Sequence, residues 1–364
     1  RPVKVISRPD QYVGVTTYVG NDTARTIETG NAPDFVWIKQ RNNNGAHMLF
    51  DSVRGATKRL VSNQNLAEGT VQGVTAFNYN GFSLGNDADC NYDPYNHVAW
   101  TWKAGGNKNT FNVDDVGYAS AAAAGLSCTA DLVGASVGTK QGFSIIRYQA
   151  TSGETVAHGL SEQPSFMMIK NMDSANDWMV YHKNGNGSGG DLSGSQVLNL
   201  NNADATFNSG SNTFITGKSA TTFTVGSSAI VQNGSDDMIA YIWHDVPGLQ
   251  KFGTYTSSTV SNGPYVELGF KPAVVLVKNT GTNANNSLTG WAIYDNERPV
   301  TFNPNHSPMF ANTSGTEGQR GDASGTAAQP FKIDILSNGF KIRGTSAEVN
   351  TNTGADVYIY AAWA

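Results

Sequence analysis

The stretch APDFVWIKQ, residues 32–40, places a proline just ahead of an apolar run that ends near a lysine. Similar phrases return as QPSFMMIKN at 163–171 and KPAVVLVKN at 271–279. The run FVWIK does not alternate between apolar and polar residues, which is typical of a strand covered on both faces. A phrase that occurs three times indicates that a larger structural unit recurs along the chain.

The sequence around each phrase recurs as well. A tyrosine in a short strand-like run precedes each lysine, and a strand-like run with a turn signal follows further on. Each unit then ends on an apolar run that carries a tryptophan at the matching position. These residues are Trp102, Trp243 and Trp363. We expect each tryptophan to fill the gap between two sheets, because its ring hides a large apolar area.

Short strand-like runs separated by Gly- and Asn-rich turns predict antiparallel strands. Units of about 100 residues are long enough to bury a core of their own. The sequence therefore predicts an all-β fold of three tandem antiparallel β-sandwich repeats of one unit. The predicted divisions are a leading segment at 1–11, repeats at 12–105, 142–250 and 251–364, and an extended arm or linker at 106–141.

Composition argues against several classes of partner. Charged residues make up 15% of the 364 residues and the formal net charge is −5, so we expect no nucleic-acid partner. No apolar stretch is long enough to span a bilayer, and we expect no membrane insertion. The two cysteines, Cys90 and Cys128, cannot define a disulfide framework, and we interpret them as unpaired thiols.

Several phrases resemble a tandem β-sandwich domain family of tailed-phage tail-fibre and virion proteins, found especially in marine and cyanobacterial phages. They include PDFVWIKQRN, VTAFNYNGFSLG, HVAWTWKAGG, NTFNVDDVGYASAAAAGL and GPYVELGFKPAVVLVKNT. The resemblance covers nearly the whole chain. It implies a lectin-like sandwich fold and a place in the virion, and it brings no catalytic residues. The text GNDADCNYDPYNHVAW departs from the family, which has a shorter polar turn there.

That departing loop, 86–96, holds the candidate site. Acidic and amide residues alternate along it, and two tyrosines stand beside them. The candidate ligand-binding residues are Asp87, Asp89, Asn91, Tyr92, Asp93 and Tyr95. Alternating hard oxygens can hold a calcium ion, although the pattern is not that of an EF-hand. Tyrosine rings beside acids also suit a sugar, and a solvated acidic turn or locally packed tyrosines remain alternative interpretations.

No motif for a transition metal, a phosphate loop or a nucleophile elbow occurs in the sequence. Two acid pairs, at 114–115 and 236–237, are adjacent, so in a strand their side chains would point to opposite faces. No pair of acids is therefore selected for glycoside cleavage, which needs two carboxylates that face each other. We predict no catalytic residues, no resident metal and no cofactor other than the calcium considered above.

The leading hypothesis is a non-enzymatic virion protein, the distal part of a tail fibre that adheres to a bacterial surface receptor, with glycan as the candidate ligand. Its other expected partners are further virion proteins and copies of itself, as a homo-oligomer such as a trimer. One alternative is an architectural decoration or filament protein, which the long arm at 106–141 favours. Another is a depolymerase of surface polysaccharide.

Overall fold

The structure, a computed structural model, describes residues 5–192, 194–258, 260–281, 289–299, 303–319, 332–350 and 355–364. It is an all-β protein with several antiparallel sheets, which confirms the predicted fold class at that level. The helices in the described residues are a 3₁₀ turn at Pro9–Gln11 and one short α-helix, and neither is long and apolar enough to cross a membrane.

The first segment, residues 13–102, forms a large sheet in the order β1-β9-β3-β4-β5-β6 and a small sheet in the order β2-β8-β7. Its elements are β1 (Val13–Val19), β2 (Arg25–Glu28), β3 (Phe35–Gln40), β4 (Met48–Asp51), β5 (Lys58–Val61), β6 (Gly69–Thr70), β7 (Val74–Asn78), β8 (Gly81–Leu84), α1 (Ala88–Asn91) and β9 (Asn96–Trp102).

Residues 106–141, predicted as an extended arm or linker, contain strands of their own. These are β10 (Phe111–Val113), β11 (Val116–Tyr118) and β12 (Asp131–Gly138). β12 lies parallel to β10 and antiparallel to β13 (Phe143–Gln149), so the segment widens the next large sheet of the same chain. Burial of Ala135 and Val137 on β12 supplies the apolar contact that holds it there.

The second segment, residues 143–243, continues that sheet in the order β13-β21-β15-β16-β17-β18 and forms a small sheet β14-β20-β19. Its further strands are β14 (Thr155–Ala157), β15 (Phe166–Asn171), β16 (Met179–His182), β17 (Gln196–Asn199), β18 (Phe207–Asn208), β19 (Ile215–Lys218), β20 (Thr222–Val225) and β21 (Met238–Trp243).

The third segment, residues 250–363, has a large sheet in the order β22-β29-β24-β25-β26 and a small sheet β23-β28-β27. Its strands are β22 (Gln250–Thr256), β23 (Tyr265–Glu267), β24 (Val274–Asn279), β25 (Ala292–Asp295), β26 (Met309–Phe310), β27 (Ile333–Leu336), β28 (Gly339–Ile342) and β29 (Val357–Trp363).

One strand order therefore recurs in the three segments. The last strand of each segment lies between its first and third strands: β9 between β1 and β3, β21 between β13 and β15, and β29 between β22 and β24. Each small sheet joins the second strand of the segment to a hairpin: β2 to β8 and β7, β14 to β20 and β19, and β23 to β28 and β27.

The strands that carry the recurring phrase, β3, β15 and β24, are buried along their whole length. In β3, Val36 and Ile38 belong to a cluster with Phe82 of the small sheet, while Phe35 and Trp37 belong to the central core of the molecule. The large sheet is thus covered on both faces, as the unbroken apolar run predicts.

The three matching tryptophans meet at the centre of the molecule. The ring centroids of Trp102 and Trp363 lie 5.4 Å apart, those of Trp243 and Trp363 5.8 Å, and those of Trp102 and Trp243 6.4 Å. Each pair is edge-to-face, the arrangement that aromatic quadrupoles favour. The expectation that each ring fills a gap inside its own unit is therefore corrected: the rings pack between the large sheets of different segments.

None of these three indole N–H groups donates a hydrogen bond to any residue that the structure describes. Packing and ring–ring contact alone hold the tryptophans in place. The loss of a ring therefore removes apolar contact from three segments at once, whereas the loss of its N–H alone removes no hydrogen bond seen in the structure.

Hydrogen bonds join neighbouring segments at corresponding positions. Trp178, just before β16, donates from Nε1 to the carbonyl of Val61 at the end of β5, at 2.8 Å. Trp291, just before β25, donates to the carbonyl of Asn199 at the end of β17, at 2.9 Å. The second segment is thus attached to the first by the same contact that attaches the third to the second.

A second recurring contact uses buried carboxylates. The Tyr241 hydroxyl of the second segment donates to Asp51 of the first segment at 2.7 Å. Trp100 of the first segment donates from Nε1 to Asp295 of the third at 2.9 Å. Both carboxylates are fully buried, so each of these bonds replaces a hydrogen bond to water that the carboxylate loses on burial.

The lysine that ends each phrase is buried. Lys39 donates from Nζ to the carbonyls of Gln40, at 2.7 Å, and Asn43, at 3.1 Å. Lys170 and Lys278 make the same bond to the carbonyl of the residue that follows them. Burial lowers the pKa of Lys39 and of Lys278 to about 7 and the pKa of Lys170 to about 8.

We expect the described segments to unfold together, because their largest rings share one core. Substitution of Trp102 by Ala should lower the free energy of unfolding by about 3–5 kcal/mol. Substitution by Phe should cost less, since no hydrogen bond is lost. Calorimetry should show a single transition that moves to lower temperature. Tyr79→Ala, at a residue 94% exposed, is the control and should change stability by less than about 0.5 kcal/mol. A separate early transition in Trp102→Ala would contradict the shared core.

The buried lysines predict that stability rises with pH between about 7 and 9.5. In this window the unfolded chain still binds protons on these lysines, whose ordinary pKa is about 10.4, while the folded chain releases them. Each lysine can contribute a slope of up to about 1.4 kcal/mol per pH unit. Urea unfolding at steps across the window measures this slope.

The matched variants are Lys39→Met, Lys170→Met and Lys278→Met, which keep an apolar stem and remove the titrating group. Each should flatten the dependence of stability on pH, whatever its effect at a single pH. A variant with the wild-type slope would show that its lysine stays protonated in the folded chain.

Candidate functional site

The predicted loop at 86–96 is tied to the first segment. Asp87 caps α1 and accepts the N–H of Asp89 at 3.0 Å. Cys90 is buried in the helix, and its carbonyl accepts the Tyr18 hydroxyl at 2.7 Å. Cys90 and Cys128 are both free, which confirms that the two thiols do not pair. The first half of the loop therefore closes one end of the segment.

Two of the predicted ligand residues are engaged within the fold. The carboxylate of Asp89 accepts the N–H of Ala46 at 3.0 Å, and burial raises the pKa of this carboxyl. Asn91 is fully buried, and its amide donates to the carbonyls of Thr23 and Gly85, both at 2.8 Å. These contacts order the loop and turn the Asn91 side chain away from solvent.

The other half of the loop faces outward. Tyr92 is 43% exposed, Asp93 is exposed and Tyr95 is half-buried. The rings of Tyr92 and Tyr95 lie 5.3 Å apart between centroids. Of the six predicted residues, these three are placed to meet a ligand, and ligand binding at this loop stays a prediction.

The structure does not bring the alternating acids together around one point. Asp87 and Asp89 accept backbone N–H groups, and Asn91 points inward. Within the described ranges, no group of three or more His, Cys, Asp or Glu side chains is placed to hold a metal ion. The calcium considered from the spacing therefore gains no support from the geometry of this loop.

A hollow lies elsewhere, between the first segment and the residues that follow β9. Two adjoining hollows of about 380 and 330 Å³ share the residues Ala32, Tyr79, Lys103 and Asp115. We call them together the Tyr79 cleft. Tyr79 stands at the turn between β7 and β8 and is the most exposed of the large apolar side chains that the structure describes.

One wall of the cleft is the chain just after β9, held by a buried carboxylate. Asp34 is 2% exposed and accepts the N–H groups of Ala104, at 2.8 Å, and Gly106, at 3.0 Å. Its other oxygen accepts the Ser52 hydroxyl at 2.9 Å. Burial raises the pKa of Asp34, opposed by these hydrogen bonds. The wall is thus fixed to the start of β3.

The rim of the cleft carries an ion pair. Lys103 Nζ lies 2.7 Å from the Asp115 carboxylate, which is half-exposed. Asp115 sits at φ 66° in the turn between β10 and β11. Gly106 has φ 87°, and a Cβ there would lie 2.8 Å from the same carboxylate, so glycine is needed for this close approach. The insertion at 106–141 therefore supplies four of the lining residues, Gly106, Asn107, Lys108 and Asp115.

Sequence reasoning did not select Tyr79, which stands in the phrase FNYNGFSLGND and was interpreted as part of a strand with a turn signal. A comparison of the three hairpins would have found it. The phenylalanines at 82, 223 and 340 are equivalent, because each pairs with the second strand of its own segment. The residues three positions before them are Tyr79, Ala220 and Ser337. Only the first hairpin places an aromatic ring there.

Comparison with known proteins finds similarity to a family model. No curated protein and no solved structure matches the chain significantly. A family model described as a domain of unknown function, DUF7483, matches residues 8–364, which include all the strands described above. The chain therefore belongs to the DUF7483 family.

Proposed function

We propose that the chain is a non-enzymatic virion protein from the distal region of a phage tail fibre, which adheres through exposed turns to a bacterial surface receptor. The observation that carries the proposal is the recurrence of one strand order in three segments whose outer turns differ. Such a molecule holds several surfaces in fixed relation, and linked weak contacts raise the total strength of attachment. The virion setting is taken from the phrases that resemble tailed-phage proteins.

We infer further that each segment is a copy of one β-sandwich unit, with the divisions predicted at 12–105, 142–250 and 251–364. The small sheets support this inference, because in the first and third segments a separate apolar cluster lies between the small sheet and its large sheet, as in a sandwich core. In the first segment, Ile27 and Phe82 from the small sheet pack with Phe50 from the large sheet. In the third, Val266 and Phe340 pack with Tyr294 in the same way.

Binding rather than catalysis is supported by the use of the adjacent acids. Asp114 accepts the backbone N–H of Thr139 at 2.9 Å. Asp237 forms an ion pair with Arg147 and accepts the Gln149 amide at 3.0 Å. These carboxylates make contacts within the chain, and this structural use supports the proposal of a non-enzymatic protein.

The architectural alternative loses one of its supports. The segment at 106–141 suggested a clamp for a neighbouring chain, but its strand β12 pairs with β13 of the same chain. The homotrimer, which was expected because fibre proteins are commonly trimers, stays a prediction. The meeting of three segments at one aromatic centre already gives a single chain three similar surfaces.

The proposal predicts where the chain lies in a particle and what it does when isolated. Antibodies raised against the purified chain, with gold labels, should mark tail tips of particles that carry it. The isolated chain should adsorb to host cells and reduce phage adsorption. Labels along a shell or filament, without cell binding, would favour the architectural alternative instead. Sustained release of reducing sugar from host envelope would show a depolymerase.

A further inference from the structure

We propose that the Tyr79 cleft is a carbohydrate-binding site in which the Tyr79 ring stacks on a sugar ring and the polar rim binds its hydroxyls. The inference rests on the proposed function, because it names the ligand class and the place of the adhesive surface. It differs from the site predicted at 86–96, which lies at another loop of the first segment.

The ring itself is the first support. Tyr79 is 94% exposed, so its ring contributes almost no burial to the stability of the chain. The backbone makes the same hydrogen bond at all three hairpin turns. In each segment, the carbonyl of the residue that follows the tip accepts an N–H from the residue just after the second strand. These carbonyls belong to Asn80, Thr221 and Asn338. The turn therefore forms without an aromatic residue, and the ring at its tip is free to meet a ligand.

The chemistry of the surrounding side chains is the second support. Amide side chains line both hollows, with Asn78 and Asn107 in one and Asn31 and Asn80 in the other. Amides both donate and accept hydrogen bonds, as hydroxyl groups require. The ion pair between Lys103 and Asp115 adds a donor and an acceptor that compensate each other.

This balance of charge selects among ligands. A phosphate would favour a cluster of unopposed cations. Here the lining holds two lysines, Lys103 and Lys108, and the Asp115 carboxylate lies directly against Lys103. A nonpolar peptide segment would favour a wholly apolar groove, whereas the hollows combine the Tyr79 ring and the apolar side chains of Pro33 and Phe77 with amides. An uncharged sugar combines an apolar ring face with peripheral hydroxyls, and this combination matches an exposed phenol ring within an amide-rich rim.

The size and rigidity of the cleft are the third support. Each hollow falls within the range of about 300–1,000 Å³ that small-molecule sites occupy. Both hollows border Tyr79, so the cleft can take an oligosaccharide with sugar units on each side of the ring. The Asp34 bonds to the backbone at Ala104 and Gly106 fix the opposite wall in advance, which lowers the cost of ordering on binding.

The insertion makes this cleft peculiar to the first segment. The residues that match Asp34, just before the third strand of each segment, are Ser165 and Ala273. A short connection of six residues, 244–249, follows the second segment where 106–141 follows the first. The aromatic tip, the buried carboxylate and the inserted wall thus occur together at one place, and the second and third segments lack the first two at the matching positions.

The test compares the wild-type chain with Tyr79→Ala, Asp115→Asn and Tyr265→Ala on immobilised bacterial O-chain, capsular and teichoic-acid glycans. We expect the wild-type chain to bind at least one glycan. The apparent dissociation constant should rise at least about tenfold in Tyr79→Ala and rise in Asp115→Asn. Tyr265 is an exposed tyrosine of the third segment, and its substitution should leave binding unchanged. Thermal unfolding of Tyr79→Ala should match the wild type, so a loss of binding would not reflect misfolding.

Each other outcome overturns the inference in a distinguishable way. Glycan binding that is unchanged in Tyr79→Ala would place the site elsewhere and leave adhesion intact, and a Tyr92→Ala variant would then test the loop at 86–96. Adsorption to whole cells without binding to any glycan would overturn the carbohydrate ligand but not the adhesive function. A chain that binds neither glycans nor cells would overturn both proposals.

Discussion

The packing of Trp102, Trp243 and Trp363 against one another holds the molecule together, because each ring belongs to the last strand of a different segment. The hydrophobic effect is non-directional, so it does not by itself fix how the rings are oriented. The sheets that carry the rings position them. The contacts from Trp178 to Val61 and from Trp291 to Asn199 then fix how the segments face one another. The outer turns lie on the far side of the large sheets and can differ in sequence without affecting the centre.

The sequence was informative about burial and less informative about what covers each buried face. The unbroken run FVWIK predicted a strand covered on both sides, and β3 is buried throughout. The spacing of the three tryptophans predicted equivalent positions, but each was expected inside its own unit. An apolar residue in the sequence indicates that its side chain is buried, but not which part of the chain covers it. A ring that packs against a neighbouring segment therefore cannot be distinguished by sequence pattern from one that packs within its own segment.

The strands at 106–141 were missed for a different physical reason. In the run DLVGASVG, glycine, alanine and serine replace the large apolar residues that usually mark a strand. Gly134 lies where the register of β12 against β13 shifts, which breaks the alternation further. The cleft that this insertion completes was hidden with it, since Tyr79 and Asp34 come close to residues 103–115 only in the folded chain. The loop at 86–96 was selected because its acids lie close together in sequence, yet two of the three, Asp87 and Asp89, accept backbone N–H groups that anchor the loop itself.

The position of β9, β21 and β29 constrains how the chain can fold. Each is the final strand of its segment, yet it lies between the first and third strands, which have no hydrogen bonds to each other without it. A nascent segment therefore keeps two sheet edges unpaired until nearly all of it has been synthesised. Pairing over so long a span of chain is slow to form, and the exposed edges offer sites for misassociation in the interval. Expression conditions that slow aggregation should matter more for recovering this protein than conditions that strengthen its finished core.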